Sequence, residues 1–178
     1  MTCIVGYIDK VAYIGGDSAA SGGDSVNIRK DPKVFRNGDF IFGCTSSYRM
    51  IQLLRYSFKP PVVEKEIHEY MCTDFIDAVR ECFKQGGYIE VENSQESGGS
   101  FMVGYKDRLF LILSNFQVAE HVDNFATLGA GMDVSAGAMF CLDKLDLSPE
   151  EKITKALEAS EYINEGVRRP FIIINANL

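Results

Sequence analysis

The sequence predicts an α+β fold of four layers, two antiparallel sheets held between two helical layers. Three observations carry that prediction. Strand-like segments arrive as hairpins, helical segments arrive in pairs between the hairpin blocks, and the first strands are apolar on both faces. A parallel βαβ sheet would alternate single strands with single helices instead.

Residues 4–8 (IVGYI) and 11–14 (VAYI) are β-branched, apolar or aromatic, with Asp9-Lys10 between them as the expected turn. Residues 33–36 and 39–42 flank Asn37-Gly38, the strongest short-range hairpin signal. Met50, Ile51, Leu53, Leu54 and Phe58 recur at helical spacing over 46–58, and Pro60-Pro61 stops that helix. A longer helix is expected over 63–84, with Ile67, Met71, Phe75, Ile76, Val79 and Phe83 on one stripe and Gly86-Gly87 at its end. Strands are expected again at 88–91, 101–105, 109–113, 118–120 and 125–128, with the polar run 93–100 as a loop. Gly129-Ala130-Gly131 then leads into a helix near 133–142. Ser148-Pro149-Glu150-Glu151 reads as a capping box opening a helix to about 163. A last strand is expected at 171–174.

These elements fit one domain over 1–178, with no repeat and no linker-like stretch. Eighteen basic against 25 acidic residues leave a net charge of −7, which argues against nucleic-acid and anionic-membrane partners. No apolar run approaches the roughly 20 residues of a membrane helix. The start MTCIVGYIDK lacks the basic opening and small-residue cleavage site of a signal peptide. The five cysteines are odd in number and scattered, so neither a disulfide framework nor a zinc site is expected. A cytoplasmic location fits best. No cofactor is expected either: Gly129-Ala130-Gly131 lacks the full dinucleotide fingerprint, because Val134 holds the last glycine's place. His68 and His121 stand isolated in the sequence, and Glu90, Glu92 and Glu96 read as a solvated edge and loop.

The hairpins also bring chemistry together. With Asp9-Lys10 as a two-residue turn, Thr2 sits opposite Asp17. With Asn37-Gly38 as the other turn, Lys33 faces Phe42 at the far end from that turn. If the two hairpins are neighbours in one sheet, a threonine, a carboxylate and a lysine converge beside the 43–46 connection. Removal of Met1 would give that convergence a purpose. The Thr2 hydroxyl would then lie beside its own α-amine, a base of pKa about 7.7–8.0. The Lys33 charge would lower the amine's pKa, and Asp17 would hold Lys33 in place. Cys3 reads as a small buried hydrophobe in the first strand.

The segments T-C-I-V-G at 2–6, G-G-D-S-A-A-S at 15–21, D-P-K-V at 31–34 and the strand to Gly43 resemble the opening of proteasome β-type subunits, a family of N-terminal nucleophile hydrolases. In length the chain is similar to the subunit of the bacterial two-ring, ATPase-dependent peptidase. Nucleophile, acid and lysine stand in the family's order, with one residue fewer before the acid. F-A-T-L-G-A-G-M-D at 125–133 and the final helix and strand correspond more loosely.

The resemblance implies Thr2 as nucleophile, its amine as base, and Asp17 and Lys33 in support. It places the oxyanion-binding segment on Thr45-Ser46-Ser47, with Ser46 where the family has a glycine. Ala130 stands in place of an accessory serine. Tyr162, Asn164 and Glu165 lie near an accessory acid that none of them matches. The implied protein is a threonine-type peptidase that cuts peptides or unfolded proteins inside a homo-oligomeric ring, with an ATPase unfoldase as partner. Two other functions share the fold: a catalytically silent ring-forming or binding subunit, which Ala130 favours, and a small-molecule amidase.

Overall fold

The computed structural model describes residues 2–22 and 25–177. The chain opens with β1 (Cys3–Asp9), β2 (Val11–Gly16), β3 (Ala19–Gly22), β4 (Ser25–Ile28), β5 (Val34–Asn37) and β6 (Phe40–Cys44). Helix α1 (Tyr48–Gln52) continues as a π turn over Leu53–Ser57. Then α2 (Ile67–Tyr70) runs through a π turn at Met71–Phe75 into α3 (Ile76–Gln85). The strands β7 (Glu90–Glu92), β8 (Gln95–Ser97), β9 (Phe101–Tyr105), β10 (Arg108–Ile112), β11 (Val118–Ala119) and β12 (Phe125–Gly129) follow. Helices α4 (Met132–Leu142) and α5 (Pro149–Ile163) precede the closing β13 (Ile172–Asn175).

Two antiparallel sheets pack face to face, one in the order β12-β1-β2-β13 and the other β11-β10-β9-β6-β5. Ile4, Ile14, Val34, Ile41, Met102 and Leu109 fill the space between them. Helices α1–α3 cover the five-stranded sheet, and α4 and α5 cover the four-stranded one. This is the αββα order expected from the paired helices. The capping box at Ser148 and Glu151 opens α5 as read, with Pro149 in its first turn.

Several local expectations change. The second helix starts at Ile67 and not at 63, because the Glu66 carboxylate accepts the His68 and Glu69 N–H groups and caps it there. The first starts at Tyr48, where Ser47 Oγ accepts from Arg49 N at 3.1 Å. The 93–100 run is no plain loop: Asn93 and Ser94 take left-handed conformations (φ 48° and 65°), and their tight turn lets β8 pair with β7. The β3–β4 hairpin, which pairs Ala19–Gly22 with Ser25–Ile28, adds two strands to those expected.

The two hairpin registers also differ from expectation. Lys10 closes the first hairpin alone, with φ 61°, so Asp9 pairs with Val11 and Ile4 with Gly16. Continued to the open end, that register puts Asp17 opposite Cys3 and not Thr2. In the second hairpin, Asn37 pairs with Phe40 across Gly38-Asp39, and the Cys44 N–H donates to Lys33 O. Lys33 therefore lies against Cys44 and not Phe42. Finally, the two hairpins are not neighbours in one sheet; each belongs to a different sheet. Their open ends meet across the sheet-to-sheet core. Glycines permit that close approach, since a Cβ on Gly43 would meet Ile4 and Ile14 at 2.6 Å and one on Gly16 would meet Val34 at 2.8 Å.

Candidate functional site

Asp17 forms the base of the site, 1% exposed at the end of β2. Its Oδ1 accepts from Lys33 Nζ at 2.9 Å and from Cys3 N at 3.0 Å. Its Oδ2 accepts from Ala19 N at 2.9 Å and from Arg168 N at 3.4 Å. A buried carboxylate is tolerable only with such compensation, and each donor comes from a different stretch of chain. Lys33, 3% exposed, enters β5 from the facing sheet. Burial lowers its pKa against the opposing pull of Asp17. A lysine poised in this way can give up and regain a proton nearer neutrality than a surface lysine can.

Thr2 leads into β1 and is 8% exposed. Its carbonyl accepts the Gly131 N–H at 3.2 Å. Gly131 is itself clamped, because its own carbonyl accepts from Ser135 Oγ and Ser160 Oγ, both at 2.9 Å. The Cys3 thiol donates to the same two hydroxyls at 3.3 and 3.5 Å. Burial raises the Cys3 thiol's pKa, so this sulfur is a packing group and a weak donor. At Gly129, φ is 95° and any Cβ would collide with the Thr2 carbonyl. The β12–α4 turn thus grips the backbone of Thr2 from one side while Asp17 grips Cys3 from the other.

The 45–47 segment forms the opposite rim. Ser46 adopts φ 62°, the left-handed conformation that favours glycine. Thr45 Oγ1 donates to Ser100 O at 2.8 Å, and Ser46 Oγ accepts from Ser100 N at 3.3 Å, so β9's entry straps the segment down. Thr2, Lys33, Thr45, Ser46, Tyr48 and Ala130 all line one cavity of about 550 Å³. Asp17 lies behind Lys33, outside the lining. Arg29 covers the Tyr48 ring with its Cζ 3.9 Å from the centroid, and its guanidinium is held by Asp31 at 2.6 Å.

Of the expected site residues, Thr2, Lys33 and Ser46 share the cavity, and Asp17 holds Lys33 from beneath. Among the three candidates near the accessory acid, Asn164 reaches Ala130, with Nδ2 donating to its carbonyl at 3.3 Å. Tyr162 and Glu165 are exposed. Met1, whose removal the chemistry needs, lies outside the described residues. Ser100, Ser135, Ser160 and Arg168 were not singled out from sequence. No local spacing marks Ser100, Ser160 or Arg168, which bond to residues at least 29 positions away, whereas Ser135 bonds back to Gly131 at the start of its own helix. Among the described residues no helix is long and apolar enough to cross a membrane.

No family model matches the sequence, and no curated protein matches it. Solved structures do match. Thiobacillus denitrificans BPH superposes with a TM-score of 0.80 at 18% identity, over 98% of this chain and 97% of that one. Eukaryotic HslV from Trypanosoma brucei gives a TM-score of 0.70 at 18% identity, over 97% and 98% of the two chains. Anbu from Yersinia bercovieri, described as an ancestral β-subunit, gives 0.70 at 11% identity over 98% and 81%. The chain has the fold of the proteasome β-type subunits that its opening segments resemble.

Proposed function

We propose that this protein is a proteasome-like threonine peptidase, a single N-terminal nucleophile hydrolase domain over 1–178. One observation carries the reading: Thr2 and Lys33 share a cavity, and the buried Asp17 holds the lysine. With Met1 removed, Thr2 Oγ attacks the substrate carbonyl carbon while its proton passes to the α-amine. The Lys33 charge favours the neutral, basic form of that amine. The oxyanion of the tetrahedral intermediate is met by the backbone N–H of Ser46, since the N–H groups of Thr45 and Ser47 already donate to Ser100 O and Thr45 O. The protonated amine then gives its proton to the leaving nitrogen, and the acyl group rests on Thr2 as an ester. Water, deprotonated by the same amine, releases the acid and restores the threonine.

The substrates in this reading are peptides or unfolded proteins, cut inside a homo-oligomeric ring in the cytoplasm with an ATPase unfoldase as partner. Support comes from the resemblance in the first 50 residues and from a neighbouring structure, Thiobacillus denitrificans BPH, solved in complex with epoxomicin. One observation favours a second reading: Ala130 lines the cavity without the hydroxyl found in the family, as a silent ring subunit could afford.

Intact mass of protein from its native host, turnover of short fluorogenic peptides and an epoxomicin incubation test the proposal together. The expected result is a chain lacking one methionine, an epoxomicin adduct, and turnover that Thr2→Ala abolishes. A trimmed chain that neither turns over nor forms the adduct is a silent subunit. Turnover of small amides by a monomer identifies an amidase.

A further inference from the structure

A second nucleophile stands on the helical layer over the five-stranded sheet, with no part in the Thr2 cavity. Cys72 is exposed, one helical turn after His68, and its Sγ lies 3.7 Å from His68 Nε2. On the other side of the ring, His68 Nδ1 lies 3.5 Å from Glu120 Oε2. Glu120 is held in turn by Arg108, whose Nη2 donates to the same oxygen at 2.6 Å. Thiol, imidazole and anchored carboxylate therefore stand in line. We propose that Cys72 is a thiol-modification site, activated by His68 and oxidised by hydroperoxides.

The carboxylate decides the tautomer. An ionised Glu120 can only accept, so the ring proton belongs on Nδ1, and Nε2 is left to accept from the thiol. The packing around the sulfur, and then the Glu66 carboxylate, push the Cys72 thiol's pKa up. The sulfur therefore gains thiolate character by passing its proton to His68 and not by ionising alone. Access is available as well, because Cys72 lines an open cleft of about 600 Å³ with Arg80, Asn115 and Phe116.

The chemistry balances without a further reactant. The thiol proton moves to Nε2, and a sulfur lone pair attacks one oxygen of the hydroperoxide. The O–O bond breaks, and the departing oxygen takes the proton back from the imidazolium. With hydrogen peroxide the products are Cys72 sulfenic acid and water, the sulfur oxidised and the peroxide reduced.

The test treats the full chain with hydrogen peroxide, traps sulfenic acid with dimedone, and maps the adducts by mass spectrometry. Cys141, also exposed, is the internal reference. In the wild type, Cys72 is expected to label about ten-fold or more faster than Cys141. In His68→Gln and His68→Ala that ratio falls towards one while Tm is unchanged, as half-exposed positions allow. Equal labelling of the two cysteines in the wild type overturns the proposal, and so does a ratio that survives the loss of His68. Neither outcome depends on whether Thr2 is a nucleophile.

Discussion

The two helical layers close on different materials. Over the five-stranded sheet the seal is aromatic: Phe40, Phe42, Tyr70, Phe75, Phe83 and Phe101 are all buried. The Phe75 ring lies 5.2 Å from Phe58 and 5.3 Å from Phe40, centroid to centroid. Over the four-stranded sheet the buried cluster holds one ring, Tyr7, among the described residues, and Cys3, Val5, Ala156 and Leu157 lie beside the buried hydroxyls of Ser135 and Ser160. Rings contribute large apolar area with little direction. Small side chains let α4 and α5 lie close to β1, and hydroxyls add the direction that places one carbonyl. Stability therefore rests chiefly on the first layer, while the second sets the position of Thr2.

Breaking the aromatic seal should have the largest effect. Phe75→Ala is expected to cost about 3–5 kcal/mol, read as a drop in urea midpoint with the m-value retained. A loss near that of a surface substitution would remove the contrast between the layers.

The next effect belongs to the site. Lys33→Arg keeps a charge beside Asp17, but a guanidinium is larger and planar, so in this buried space its charge is displaced from where Nζ stands. Peptide turnover should fall by about 10²-fold. Turnover at the wild-type rate, with Thr2→Ala dead, would remove Lys33 from the mechanism.

A smaller change is expected from Ser160→Ala. Gly131 O keeps the Ser135 donor and loses the other, at a cost of about 1 kcal/mol. The informative readout is amide exchange at Gly131, which should quicken while the Phe75 region stays protected. Equal quickening in both regions would mean that the layers do not act separately.

The smallest concerns pH. Hydrogen bonding from Arg108 holds the Glu120 carboxyl below its ordinary value of 4.5. A depressed acid stabilises the fold above its unfolded pKa, and the contribution is lost as pH falls through the folded value. Acid titration from pH 6 to pH 3 should therefore cost wild type up to about 1 kcal/mol more than Glu120→Gln. Parallel stability curves for the two proteins would show that the pair contributes nothing to the layer.

Much of this architecture was legible locally. Helical periodicity at Ile67, Met71, Phe75, Ile76, Val79 and Phe83, the capping box at Ser148 and the hairpin signal at Asn37-Gly38 are all short-range. The segments around Thr2, Asp17 and Lys33 also named residues that the fold brings together. The route between them was legible only in three dimensions. A single left-handed residue, Lys10, shortened the first turn and put Asp17 opposite Cys3. Pairing within a hairpin is set by local dihedrals, so one residue of error moves every partner. Which hairpins share a sheet is set by long-range packing, and here Asp17 and Lys33 meet across two sheets through the gaps left by Gly16 and Gly43. The same reason hid Ser135 and Ser160 on the helices, Ser100 at the start of β9, and Glu120 beside His68. Side-chain chemistry is written in the sequence, but contact between residues dozens of positions apart depends on how apolar faces pack, and only the folded chain decides that.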